Sequence, residues 1–286
     1  MDEIHWEQVN ITYPGSSRQE RERHAIAHLT RVLPAAEAHE LVTAWWFIRK
    51  DPWRIRYLPA STDHGFDPVH RLLTDQVVWT SDIYEPETHA FGGPEAMDAA
   101  HTLFHHDSRH LLDYLQRDPA DRRERSLILC TALMRAAGLD LEEQGDVWAH
   151  VDQMRAPLLD PALLPEPGIW TAFTDKVRYL LLGTARSTDS WHAAFDGAGA
   201  TLRALRETGR LTRGLRAVIA KHVIFHWNRI GLPAATQAVL AHAAKEAIFG
   251  SIPGPPGQQG PYGQASAAAP WRAPEPTQRR PQAVGR

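Results

Sequence analysis

The sequence predicts an α+β fold: a helix-rich single domain with a small antiparallel sheet near the N-terminal third, followed by a disordered C-terminal tail. Three observations predict it. The short aromatic and β-branched runs WWFIRK and WRIRYLP lie close together, separated by Asp51-Pro52, which is a hairpin signal. From Pro94 onward the apolar residues adopt a helical period. The last 36 residues hold eight prolines and five glycines with almost no aliphatic side chains.

Taken in order, SSRQERERHAIAHLTRVL reads as a surface helix, and PAAEAHELVTAW as a second helix starting at its proline. The hairpin follows, and DQVVWTSDIYEPE supplies the best third strand. PEAMDAAHTLFHHDSRHLLDYLQR places Met97, Ala100, Phe104, Leu111 and Leu115 on one stripe. Further helices are expected near 122–137, 140–155, 169–183, 189–208, 213–230 and 233–249. Early strands and late helices argue for a small sheet covered by helices. The tail, 251–286, cannot bury enough apolar surface to offset its ordering entropy. Its Tyr262 and Trp271 are either weak docking points or passengers. The folded unit is therefore expected to end at residue 250.

Composition excludes several classes. Charged residues make up 23% and the net charge is −3, so no general footprint for nucleic acid or anionic membrane is present. The tail carries four arginines and one acid, which leaves residues 1–250 at −6. The single cysteine, Cys130, lies in the apolar run SLILCTALM and reads as a buried, inert thiol. MDEIHWEQVN lacks the regions of a signal peptide and no apolar run is long enough to span a bilayer. A soluble, cytoplasmic protein is expected. There is no GxxxxGK loop, GxGxxG fingerprint or GxSxG elbow, so side chains without a cofactor are expected to carry any chemistry.

Three constellations could do so. Arg54 and Arg56 sit two apart in a predicted strand, which puts both guanidinium groups on one face. The pair could clamp a carboxylate or phosphate, or it could guard an edge strand against aggregation. In KHVIFHWNRIG, His222, His226 and Arg229 share a helical face. That face could serve proton transfer and anion binding, or it could be a satisfied histidine with a cation near a helix C-terminus. His101 and His105 have the i, i+4 spacing of a chelate but lack the Glu of HExxH and a third ligand. They read as surface histidines, and no metal is expected. The stretch IYEPETHAFGG combines a strand end at Tyr84, a proline-stiffened turn and a Gly92-Gly93 hinge into a helix.

The order of WWFIRKDPWRIRYLP, YEPETHAFGG, LFHHDS and HWNRIG resembles the C-terminal elimination domain of lantibiotic dehydratases. More closely, it is similar to the freestanding thiopeptide-type bacteriocin biosynthesis proteins. The resemblance spans roughly residues 1–250. It implies a role in maturing a ribosomally made peptide. One branch of the family removes glutamate from glutamylated serine or threonine, leaving dehydroalanine or dehydrobutyrine, after a partner has added glutamate from glutamyl-tRNA. Another branch makes pyridine rings by a formal aza-cycloaddition of two dehydroalanines.

The resemblance implies catalytic roles for Arg54, Arg56, Glu87 and His226, with Glu87 orienting an arginine. Arg229, His89 and Tyr84 are implied on the substrate side. Ala90 stands where the elimination domains carry an arginine, which His89 or Arg229 could replace. The expected partners are the precursor peptide, leader and core, and a glutamylating dehydratase. The carry-over favours glutamate elimination over a pyridine synthase. A precursor-binding module without chemistry is a third reading, in which an edge strand near WWFIRK pairs with an extended leader peptide.

Overall fold

The structure, a computed structural model, describes residues 5–61, 67–160, 162, 164–183 and 189–250. The predicted tail, 251–286, lies outside the described residues. Four strands form one antiparallel sheet: β1 Glu7–Thr12, β2 Val42–Ile48, β3 Trp53–Pro59 and β4 Val78–Ile83, in the spatial order β2-β3-β1-β4. The predicted hairpin is β2–β3, and the predicted third strand is β4. Strand β1 was not anticipated, although EQVNIT alternates polar Gln8 and Asn10 with buried Val9 and Ile11. It lies between β3 and β4 and so connects the hairpin to the edge.

Helix α1, Arg18–Ala38, begins at Ser17, whose hydroxyl accepts from the Glu20 amide at 3.1 Å. The helix runs through Pro34, so the second helix expected at that proline does not form. Buried Leu33 and Ala36 keep the last turn packed on the core, offsetting the hydrogen bond that proline removes. The remainder of PAAEAHELVTAW enters β2, where Val42 and Trp45 gain cross-strand partners unavailable to a helix. A short helix, α2 Pro68–Thr74, was also not anticipated; the Asp67 carboxylate caps it through the Val69 and His70 amides.

The helical second part is α3 Pro94–Leu115, α4 Arg122–Ala136, α5 Leu141–Arg155, α6 Pro167–Leu182, α7 Ser190–Glu207, α8 Leu215–Ile230 and α9 Ala234–Phe249. These match the predicted spans within about two residues. One sheet face, with Val9, Ile11, Trp45, Phe47, Ile55 and Tyr57, joins the main core that extends through the helices. The opposite face carries Gln8, Asn10, Arg54, Arg56, Thr80 and Asp82, and its Trp46 and Ile48 form a smaller cluster with Phe91, Met97, Ala100 and Phe104. The predicted α3 stripe is buried throughout, divided between the two clusters. Cys130 is buried and burial raises its thiol pKa. No helix among the described residues is long and apolar enough to cross a membrane.

Candidate active site and family

Strand alternation puts Arg54 and Arg56 on the polar face. Register sets Arg54 between Ile48 and Asn10, and Arg56 between Trp46 and Gln8, with Asp82 beyond Gln8. A hydrogen-bonded row fixes these groups. Arg56 Nε donates to Gln8 Oε1 at 2.6 Å, and Gln8 Nε2 donates to Asp82 Oδ2 at 2.7 Å and to Asn10 Oδ1 at 3.1 Å. The Arg56 guanidinium lies 4.3 Å from the Trp46 ring and 4.2 Å from the Tyr84 ring, a cation held between two π faces. Tyr84 Oη in turn meets His101 Nε2 at 2.8 Å. Among the described residues no hydrogen bond uses either Arg56 Nη. Burial, and then the neighbouring Arg54, bring Arg56 down to about 10, which leaves it charged at neutral pH.

More cations gather here. Burial and then Arg54 lower the Lys50 pKa, and the Arg54 Nε is buried without a hydrogen-bond partner among the described residues. Glu87 is exposed at the margin, with Lys221 Nζ at 3.8 Å; among the described residues it forms no bidentate pair with an arginine. The turn carrying Glu87 closes through Phe91 N to Glu87 O at 3.1 Å and Gly93 N to Thr88 O at 2.9 Å. Gly92 and Gly93 have φ of +94° and +109°. A Cβ at position 92 would lie 2.7 Å from Leu211 Cδ1, and one at 93 would lie 3.1 Å from Thr212. The double glycine therefore lets the turn lie against residues 211–212, inserting Phe91 into the small cluster. His89 is exposed and Ala90 half-buried on this turn.

A second polar group is closed off from solvent. Asp107, on α3, accepts from Arg229 Nε at 2.7 Å and Trp191 Nε1 at 2.8 Å, and meets His226 Nδ1 at 2.9 Å. All three of Asp107, His226 and Arg229 are fully buried. Burial would raise the Asp107 carboxyl, but His226 and Arg229 overcome it and hold the group at about 2. The Arg229 guanidinium lies 4.4 Å from the Phe104 ring, which is 4.8 Å from the Trp46 ring. Two aromatic rings thus separate Arg229 from Arg56. Burial, and then Arg229, push His222 down to about 3, and neither of its ring nitrogens has a hydrogen-bond partner among the described residues.

The lantibiotic biosynthesis dehydratase C-terminal family model matches residues 6–248. The chain belongs to this family. No curated protein matches it. Among solved structures, the tRNA-dependent lantibiotic dehydratase MibB from Microbispora sp. 107891 is 18% identical with a TM-score of 0.53, over 85% of this chain and 28% of that one. The pyridine synthase TbtD, from thiomuracin biosynthesis, is 15% identical with a TM-score of 0.60, over 85% of this chain and 97% of that one. TsrL is 15% identical with a TM-score of 0.52, over 88% and 99%. The chain thus spans little more than a quarter of the dehydratase's length and nearly the whole of the other two.

In this lantibiotic dehydratase C-terminal fold, Arg54, Arg56 and Tyr84 gather on one sheet face, with Glu87 and His89 on the turn beside it. His226 and Arg229 are placed in the closed group around Asp107 instead. His101 and His105 are not surface histidines: His101 bonds Tyr84, and His105 is buried with Nδ1 against the Trp45 backbone, 3.1 Å from its amide and 3.0 Å from its carbonyl. Sequence reasoning missed Asp107, Gln8, Lys50 and Lys221. One signal could have found Asp107, an acid on the apolar α3 stripe three residues after Phe104. Gln8 had no local signal, because its importance comes from strand register. Two concavities lie away from this face, one of 1270 Å³ bordered by Arg135, Tyr179 and His192, another of 550 Å³ bordered by Trp45, His106 and Arg109.

Proposed function

We propose that this family member eliminates glutamate from glutamylated serine or threonine in a precursor peptide, leaving dehydroalanine or dehydrobutyrine. The observation that carries this reading is the cationic sheet face, where Arg56 stands between Trp46 and Tyr84 beside Arg54, Lys50 and Lys221. In the reaction a base removes the Cα proton, its electron pair forms the Cα=Cβ double bond, and the Cβ–O bond breaks. Glutamate leaves as a carboxylate carrying the former bond pair. Fixed guanidinium groups suit that leaving group because their charge is positioned before the bond breaks.

The proton acceptor in this reading is His101, assisted by Tyr84. Burial, and then Arg56, bring His101 to about 4, so the ring is unprotonated at neutral pH. His226 and Arg229 act at a distance, locking α8 to α3 through Asp107 and so placing Lys221 beside Glu87. A separate glutamylating enzyme would supply the substrate in the cytoplasm.

A second reading, pyridine synthase, is favoured by the structural match over 97% of TbtD and by Ala90 in place of an arginine. One experiment separates them. The protein is given a peptide with O-glutamyl serine and, separately, a peptide with two dehydroalanines, and products are read by mass spectrometry. Loss of glutamate from the first supports elimination. Cyclisation of the second, with the first untouched, replaces it. Turnover of neither, together with intact processing in cells carrying Arg54→Ala and Arg56→Ala, would leave only a binding role.

A further inference from the structure

The face that gathers Lys50, Arg54, Arg56 and Lys221 also holds an available carboxylate. The charge of Glu87 favours the charged forms of Arg56 and Lys50, which burial opposes. An acid among cations ordinarily fixes one of them in place. Glu87 does not. Arg56 is held by Gln8 and by the Trp46 and Tyr84 rings, and among the described residues no hydrogen bond joins Glu87 to a guanidinium. Lys221 Nζ, at 3.8 Å, stands beyond hydrogen-bond distance, and the Glu87 side chain is 51% exposed. The other carboxylate that bears on Arg56, Asp82, is committed. Its Oδ2 accepts from Gln8 at 2.7 Å and Asn10 at 3.1 Å, and its Oδ1 from the Ile83 amide at 2.9 Å. A face built for an anion alone would hold it more tightly without Glu87, because like charges repel.

We infer that Glu87 binds the α-ammonium of the glutamyl group, so that the site selects a side chain carrying both charges over a plain carboxylate. This rests on the reading of glutamylated serine or threonine as the substrate. Glutamate carried on tRNA is joined through its α-carboxyl, so the transferred group keeps a free α-ammonium and a free γ-carboxylate. The ammonium sits one carbon from the carboxyl that leaves. A group that meets it must therefore stand beside the guanidinium groups that hold the leaving oxygen, as Glu87 stands beside Arg56. The γ-carboxylate, roughly 5 Å from the ammonium by counting bonds, falls to the ammonium groups of Lys50 and Lys221 at the margin. The turn fixes Glu87 for this contact, since the Phe91 amide donates to its carbonyl at 3.1 Å and Phe91 is buried in the small cluster. An opposite charge also keeps the bound amine protonated. A protonated amine withdraws electrons from the adjacent carboxyl and makes it the better leaving group.

The test reads binding and turnover separately, on the full chain at pH 6.5, below the α-amino range of about 7.7–8.0. For binding, calorimetry compares two ten-residue peptides whose central diaminopropionate carries a glutamyl or a glutaryl group through an amide, which resists elimination. The glutaryl group keeps the distal carboxylate and lacks the ammonium. For turnover, mass spectrometry compares the corresponding serine esters. Glutamyl is expected to exceed glutaryl by about ten-fold or more in each assay. Glu87→Gln should bring both ratios to about one, and Glu87→Asp should retain part of the preference. Because each readout is a ratio within one protein, partial unfolding of a variant cannot imitate the loss.

Equal handling of the two groups by the parent protein, or full preference kept by Glu87→Gln, would overturn the proposal. The two levels of inference fail differently. If the ammonium is not read but elimination stands, the parent turns over both esters equally well. If elimination is wrong and the ammonium is read, neither ester reacts, yet the glutamyl amide still binds ahead of the glutaryl amide and Glu87→Gln removes the difference. Neither peptide binding and neither ester reacting would remove both.

Discussion

The guanidinium of Arg49 fills the space that a side chain at Gly231 would need: a Cβ there would lie 2.1 Å from Arg49 Nη1. Arg49 follows β2 and donates to the Ile230 carbonyl at 2.9 Å, while Arg18 donates to the Gly231 carbonyl at 2.8 Å. Glu22 pairs with Arg49 and, at 2.7 Å, with Arg122. The C-terminus of α8 is therefore tied to the hairpin that carries Arg54 and Arg56. Two of the sequence motifs, WWFIRK and HWNRIG, meet here.

Gly231→Ala is expected to destabilise the fold by about 2–4 kcal/mol, because φ there is +83° and the capping guanidinium must move. Urea unfolding measures it. A cost below about 0.5 kcal/mol would show that the cap adapts freely.

Asp107→Asn should cost about 3–5 kcal/mol, since it leaves Arg229 buried without its counter-charge. Denaturant titration at neutral pH is the measurement. If His226 positions α8 rather than touching substrate, the same variant should lower kcat with little change in the pH profile of kcat.

The fully buried His222 makes stability depend on pH. Its folded value is pushed down to about 3, against about 6.5 in the unfolded chain. Between those values the unfolded chain binds a proton that the folded ring refuses. Stability from this source is thus full above about pH 6.5 and declines as pH falls toward 3, by at most about 1.4 kcal/mol per pH unit. His222→Leu should flatten the dependence in that window, as read by thermal unfolding at stepped pH.

Arg56→Lys is expected to lose about 100-fold in kcat/KM on a glutamylated peptide, because an ammonium cannot replace a planar cation held between Trp46 and Tyr84 while donating to Gln8. Arg54→Lys, on a less enclosed side chain, should lose less. Equal activity of Arg56→Lys and the parent protein would remove Arg56 from the site.

Ala90→Arg adds a guanidinium to the turn that carries Glu87. If the chain eliminates glutamate, kcat/KM for the glutamylated peptide should rise by about five-fold or more through an added charge-assisted contact. A pyridine synthase would gain nothing from it. The substitution therefore reads the reaction as well as the residue.

The helices after Pro94 were legible because their apolar period repeats over many residues, and the hairpin because aromatic runs flank a turn. Strand alternation was enough to put Arg54 and Arg56 on one face. The family resemblance rested on the order of short motifs, which chain order preserves. What local pattern could not supply was burial. Pro34 reads as a helix start, yet the packing of Leu33 and Ala36 carries α1 through it. Gln8 and Asp82 have no meaning as neighbours until β1 enters the sheet between β3 and β4. From its helix His226 reads either as an accessible base or as a satisfied histidine, and the tertiary structure decides by sealing it against Asp107, 119 residues earlier. Spacing decides which side chains share a face; only the packing of other elements decides whether that face meets substrate or the interior.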